Sequence, residues 1–231
     1  MGDVVLGVTD APALRAREWA VRRAAARGAE VRELLVTPAR DDVDEVVRAT
    51  ADAEILVLPA EHGHPYRGIV AGATCPVAVV PETTDDVAVE RHGVLVGVDA
   101  SEVSERALAF AADEASRSGE PLVALAAWEP VSVGTEPGLD LWTGPMPVDL
   151  TEATAGMLER MIAPVRAAHP DLDIRTRIDV GDASSLIEEA SRSSVLTVVG
   201  SHGRTGLSRL LLGSVSEHVV ARVSSPTIIV R

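Results

Sequence analysis

Rings and thiols are what this sequence has least of: among 231 residues there are three Trp, one Tyr, one Phe and one Cys. A single cysteine, Cys75, excludes an intrachain disulfide and any zinc site built from several thiolates. Standing before Pro76 at an apolar run, it reads as a small buried hydrophobe rather than a nucleophile. With 2% aromatic residues the chain has too few rings for an all-β module that reads nucleic acid by stacking bases. Its core must come from Val, Leu, Ile and Ala, as in a sheet buried under helices. Positive charge is scarce as well, since 21 Lys and Arg against 35 Asp and Glu leave a formal charge of −14. So acidic a surface attracts neither nucleic acid nor an anionic membrane, and any anionic ligand has to be held by local donors. No run of about 18 apolar residues occurs, and Met1-Gly2-Asp3 opens no positively charged leader. The expectation is a cytoplasmic protein with no membrane and no nucleic-acid partner.

What the chain does have is alternation. With 46% hydrophobic and 24% charged residues it suits one large or two small globular domains. Val4–Val8 reads as a strand, Ala13–Arg27 as a helix closed by Gly28, and Val31–Val36 as the next strand. A helix over Asp42–Ala51 and strands Ile55–Leu58 and Val77–Val80 follow. Acidic residues at the start of that helix, Asp41, Asp42, Asp44 and Glu45, suit the helix dipole better than a divalent cation. The polar segment 81–86 reads as a linker. Then the order begins again: strand Gly93–Val98, helix Ser101–Ser118 stopped by Gly119, strand Leu122–Trp128, and a Pro/Gly-rich loop from Glu129 to Pro147. Helix Leu150–Ala168, strand Ile174–Val180, helix Ala183–Ser193, strand Val195–Val199, helix Ser214–Val223 and strand Thr227–Val230 complete it. Strands alternating with helices imply a parallel sheet covered on both faces.

The two halves form an internal repeat. Val4-Val5-Leu6-Gly7-Val8 lies over Val94-Leu95-Val96-Gly97-Val98, and residues 42–63 align without gaps to 182–203, setting His62 and Gly63 on His202 and Gly203. Both halves end with Pro before a β-branched strand, at Pro76 and Pro226. From Gly63 to Pro76 is 13 positions, but from Gly203 to Pro226 is 23, so the first half lacks about ten residues of loop and helix start. It also reads as lacking one strand and one helix between its first helix and Val31.

After the apolar run Val195–Val199 stands Gly200-Ser201-His202-Gly203-Arg204-Thr205-Gly206, and downstream Gly213-Ser214-Val215-Ser216. Spaced glycines between a strand and a helix let backbone N–H groups approach an anion, and the helix N-terminus adds donors and a favourable dipole. Together with Val96-Gly97-Val98-Asp99-Ala100-Ser101, these residues resemble the universal stress proteins in tandem two-domain form. The resemblance covers about His92–Arg231 fully and the first half much more weakly.

The resemblance implies an α/β fold of two parallel-sheet sandwich domains of the adenine nucleotide alpha-hydrolase-like type: a shortened one over 1–84 and a complete five-stranded one over 91–231. It implies ATP, with Mg2+ as an accompanying ion, at the carboxyl ends of the strands. Gly97 and Asp99 would lie by ribose and adenine, with the backbone near Ala127 on the adenine. Gly200, Ser201, His202, Gly203, Arg204, Thr205, Gly206, Gly213, Ser214 and Val215 would wrap ribose and phosphates. It further implies that the two domains pair through their last strands, Val77–Val80 against Thr227–Ile229, and it leaves a homodimer open.

Plainer readings stand beside these. Asp99 could be a simple N-cap, Gly97 a packing residue, Trp128 rim packing, and Arg204 and Arg209 partners of surface carboxylates. His62 and His64, with His202, are spaced for a metal, but no carboxylate or cysteine cluster joins them. Ser214 and His218 lie four apart on one helix face as a conceivable nucleophile and base, without a readable orienting group. The expected function is therefore ATP binding in a stress response, with nucleotide regulating stability or association and no catalytic residues. An ATP-cleaving or ATP-transferring enzyme of the same fold, and a ligand-free partner-binding protein, are the alternatives.

Overall fold

The computed structural model describes residues 2–8, 13–36, 43–60, 66–82, 90–132, 147–203, 212–222 and 224–231. In the first half, β1 (Val4–Val8), α1 (Leu14–Arg27), β2 (Val31–Leu35), α2 (Val43–Ala49), β3 (Ile55–Ala60), α3 (Arg67–Gly72) and β4 (Val77–Pro81) follow one another. The second half runs β5 (Val94–Gly97), α4 (Glu102–Ser118), β6 (Leu122–Trp128), β7 (Val131–Ser132), β8 (Pro147–Val148), α5 (Thr151–Ala168) and β9 (Ile174–Val180). It ends with α6 (Ala183–Ser191), β10 (Leu196–Gly200), α7 (Ser214–Ala221) and β11 (Thr227–Val230). β7 and β8 form a separate two-stranded ribbon. The rest make one nine-stranded sheet in the order β2-β1-β3-β4-β11-β10-β5-β6-β9.

Every pairing in that sheet is parallel except one: β4 runs antiparallel to β11, with Val79 opposite Thr227 and Val77 opposite Ile229. The last strands of the two halves thus meet edge to edge, as the resemblance implied, and join the two halves into a single sheet. β4 and β11 are buried along their whole length, as strands covered on both faces must be. One face carries α1, α4 and α5 over a core of Ala, Val and Leu. The other carries α2, α3, α6 and α7.

The gap in the first half lies elsewhere than the sequence led us to expect. α1 stops at Gly28 (φ 62°) and α4 at Gly119 (φ 69°), both left-handed glycine caps. The next strand starts three residues on in each half, at Val31 and Leu122, and pairs in parallel with its half's first strand. β2 is therefore the counterpart of β6, and nothing is missing before Val31. What the first half lacks is a counterpart of α5 and β9, which would follow β2. The structure also adds α3 and the β7–β8 ribbon, where the sequence offered no pattern long enough to read.

On the α1 face the halves are tied by charge. Arg23, whose side chain is 5% exposed, meets Glu114 of α4 at 2.7 Å and Glu54 at 3.2 Å. Its guanidinium also lies 5.4 Å from the ring centre of Trp19 and 5.6 Å from that of Phe110. Arg27 joins the same two carboxylates. The Glu82 carboxylate accepts from the backbone N–H groups of Arg15 (3.0 Å) and Ala16 (2.9 Å), supplying the cap that Ala13 has no side chain to make.

Candidate functional site

A cavity of about 280 Å³ opens at the carboxyl ends of β5, β6 and β10. The chain leaves β5 toward β6 on one side and reaches β10 on the other, so this is a point where strand order reverses, the usual place for a ligand in an open α/β sheet. Gly97 ends β5 on its wall, and a Cβ there would lie 2.7 Å from Cδ1 of Ile187 on α6. The chain then turns through Asp99-Ala100-Ser101, with Ala100 at φ 66°. Asp99 Oδ1 accepts from the Ser101 N–H (3.1 Å) and Oγ (2.7 Å), and Ser101 Oγ accepts from the Ser104 N–H (3.1 Å). The N-cap of α4 is consequently Ser101, and the reading of Asp99 as a simple cap does not hold. Asp99 lines the cavity instead.

Across from it, Gly200, His202 and Gly203 leave β10. The Asp99 carboxylate stands where a Cβ on Gly203 would be, so only glycine lets the two segments come this close. The loop closes on itself at Ser201, whose carbonyl accepts from the Gly213 N–H (2.8 Å) and from Ser216 Oγ (2.9 Å). Ser201 is 1% exposed, with Oγ 3.0 Å from His202 Nδ1. It holds the base of the loop and is not on the cavity wall. A Cβ at Gly213 would approach His202 Cα to 3.1 Å.

Gly213 then caps α7 with extended backbone and no side-chain bond. By contrast α4 and α6 are capped by Ser101 and Asp182. Ser214 and Val215, in the first turn of α7, face the cavity. A helix start without a side-chain cap presents N–H donors and the positive end of the dipole to whatever lies in front of it. Asp99 is the only carboxylate on the described wall, and neither Lys nor Arg lines it. Among the described residues the donors that line the cavity are backbone amides, hydroxyls and His202.

Ala127 lines the cavity from β6. Thus Gly97, Asp99, Ala127, Gly200, His202 and Gly203 converge with Gly213, Ser214 and Val215, while Arg204, Thr205 and Gly206 lie outside the described residues. His62 and His64 lie outside them too. Among the described residues no group of three His, Cys, Asp or Glu could hold a metal ion. Seven wall residues were not among the expected site residues: Val98, Ser104, Leu125, Ala183, Ile187, Val199 and Ser216. Leu125 could have been found, since it lies two positions from Ala127 and shares its face of β6. Ile187 could not, because its role depends on where α6 crosses the sheet.

His218 does not turn toward Ser214 as a base. Its Nε2 lies 2.9 Å from Glu188 Oε2 on α6 and 3.0 Å from the Arg222 guanidinium. The Cys75 thiol is 5% exposed, and burial pushes its pKa up, which leaves it an inert core residue. Trp128 is half-buried at the end of β6 and is not on the wall. Among the described residues no helix is long and apolar enough to cross a membrane.

Comparison with known proteins adds a lineage to this geometry. The profile of the universal stress protein family matches residues 90–231. A universal stress protein of Mycobacterium tuberculosis (strain ATCC 25618 / H37Rv) is 39% identical over 203 residues, covering 82% of this chain and 65% of that protein. One from Mycolicibacterium smegmatis is 36% identical over 159 residues, covering 69% and 52%. The chain thus spans between about half and two thirds of the length of these relatives. A solved universal stress protein from Archaeoglobus fulgidus DSM 4304 is similar in fold over 98% of this chain and 85% of its own, with a TM-score of 0.59 at 17% identity.

Proposed function

The chain belongs to the universal stress protein family, and from that premise we propose that residues 91–231 form a domain that binds an adenine nucleotide, ATP foremost. Residues 1–84 are then a shortened partner domain without a nucleotide site of its own. The observation that carries this reading is the meeting of Gly203 and Asp99 in front of the uncapped start of α7. A cavity of 280 Å³ is close to the lower end of the roughly 300–1,000 Å³ usual for small-molecule sites. It suits the nucleoside, with Ala127 and Leu125 against the base and Asp99 toward the ribose. The phosphates would lie along Gly203, Gly213 and the first amides of α7, and Mg2+ would ride on them.

Nucleotide acts here as a regulator of stability or association in a cytoplasmic stress response. Turnover is not expected: among the described residues Asp99 is the only wall carboxylate, and one of its oxygens is committed to Ser101. A water-activating base also needs an aimed, available oxygen. The deciding experiment denatures freshly purified protein, identifies any released nucleotide by chromatography and mass, and follows melting with added ATP, ADP and AMP. At a hundredfold excess over its dissociation constant a ligand stabilises the fold by about 2.7 kcal/mol. No released nucleotide together with an unchanged melt would remove the reading, and steady release of phosphate or pyrophosphate would replace it with an enzyme.

A further inference from the structure

The strip of sheet and helix that α5 covers in the second half lies open in the first. Setting Gly28 on Gly119 places Arg17 and Val21 of α1 on Leu108 and Ala112 of α4. It also places Val31, Glu33 and Leu35 of β2 on Leu122, Ala124 and Ala126 of β6. All five second-half residues are at most 1% exposed. α5 packs against both α4 and β6, with Leu158 and Ile162 fully buried and Val165 nearly so, an i, i+4, i+7 stripe. In the first half the matching Val21 is 52% exposed and Leu35 68%, and Leu14, one face-turn away on α1, is 71% exposed. These are three of the four large hydrophobics that the described residues expose. Side by side they make an apolar strip, crossed at its middle by the Arg17–Glu33 ion pair.

Two observations say what fits there. The first is the repeat itself, in which the same strip takes an amphipathic helix. The second is charge: along the strip Arg15, Arg17 and Arg22 stand against Glu18 and Glu33, an excess of one positive charge on a chain of −14. A second copy of the chain is a poor occupant. It would bring α1 against α1 with arginines opposed, and among its described residues no other helix exposes a large apolar side chain.

We propose that this strip is the docking site for an amphipathic helix of another protein, apolar at i, i+4 and i+7 along one face and acidic along its flank. The helix would lie where α5 lies in the second half, its apolar stripe covering Val21, Leu35 and Leu14 and its carboxylates meeting the α1 arginines. The cost of leaving several large hydrophobics in water is then relieved only in the complex.

The test uses the intact chain and one probe, a fluorescent, helix-stapled peptide of residues 151–168 carrying Arg160→Glu and Arg166→Glu, followed by anisotropy. Saturable one-to-one binding is expected. Val21→Asp and Leu35→Asp should each weaken it at least tenfold while leaving the melt unchanged, because both side chains already face water. A peptide keeping Arg160 and Arg166 should bind several-fold more weakly. If Val21→Asp fails to fold, Leu35→Asp carries the comparison alone. Absence of saturation, or affinity unmoved by Leu35→Asp, overturns the proposal. So does a wild-type dimer that Leu35→Asp splits, which would assign the strip to a second copy.

Discussion

A side chain at residue 203 would have to share space with the Asp99 carboxylate, so the proposed site tests itself at one atom. Gly203→Ala should displace the Asp99 carboxylate, because its Cβ would fall well inside contact distance of Asp99 Oδ2, and weaken nucleotide binding. Gly203→Val should abolish the ATP-induced rise in melting temperature while the protein alone stays folded, since loops tolerate change better than cores. Melting curves with and without millimolar ATP check it, and a normal shift in Gly203→Val would take the loop out of the account. Ala100 makes a second, independent point. At φ 66° it occupies a conformation that costs a non-glycine L-residue about 1–2 kcal/mol. Ala100→Gly should therefore be near neutral in denaturant unfolding, while Ala100→Val should cost about 1 kcal/mol or more. The glycines and Asp99 were legible in the sequence because their chemistry is local. Ser104 and Ser216 were not, since each acts through a bond to backbone, Asp99 N–H in one case and Ser201 O in the other, that exists only after the chain has turned.

Among the elements, α4 and α6 show how a sequence can carry its own punctuation. α4 begins at Ser101 and stops at Gly119, and α6 begins at Asp182, each with its side chain or glycine doing what the residue type does best. α3 has no such marks. Its six residues span less than two turns, and Tyr66 at its start makes no side-chain cap. The position of the missing helix and strand was misplaced for a related reason: only the matched glycine caps and the pairing of β2 with β1 identify β2 as the counterpart of β6. The Asp182 cap gives a pH prediction. Hydrogen bonds from Ser184 and Ser185 hold its pKa at about 2, below the ordinary 3.8. A depressed carboxyl pKa adds stability that is full above 3.8 and is lost as pH falls toward 2. Asp182→Ala should cost about 1 kcal/mol at neutral pH. The gap between variant and wild type should narrow as unfolding is repeated from pH 5 down to the acid limit of about 2, while a gap that stays constant would place the effect in packing rather than charge.

On the scale of the whole molecule, the two halves are joined on both faces of the sheet, but by ion pairs of very different weight. Arg67 of α3 meets Glu217 of α7 at 2.8 Å with both side chains about half exposed, where water and salt screen the pair. Arg23 meets Glu114 and Glu54 with its side chain 5% exposed and two aromatic rings against it. Losing one partner of a buried pair strands the other charge in low dielectric, which costs about 3–5 kcal/mol for a fully isolated ion. Glu54 remains to share the load, so Glu114→Ala should cost about 2–3 kcal/mol and Arg67→Ala less than about 0.5 kcal/mol. The antiparallel seam of β4 and β11 puts backbone bonds and two fully buried strands between the halves. Opening it would expose an unpaired edge on each side, so neither half should unfold while the other persists. Calorimetry of the wild type should then show one transition whose van't Hoff and calorimetric enthalpies agree. In Glu114→Ala the same single transition should move to lower temperature. Two resolved transitions in either protein would mean that the seam does not couple the halves, and that the shortened half stands on its own core.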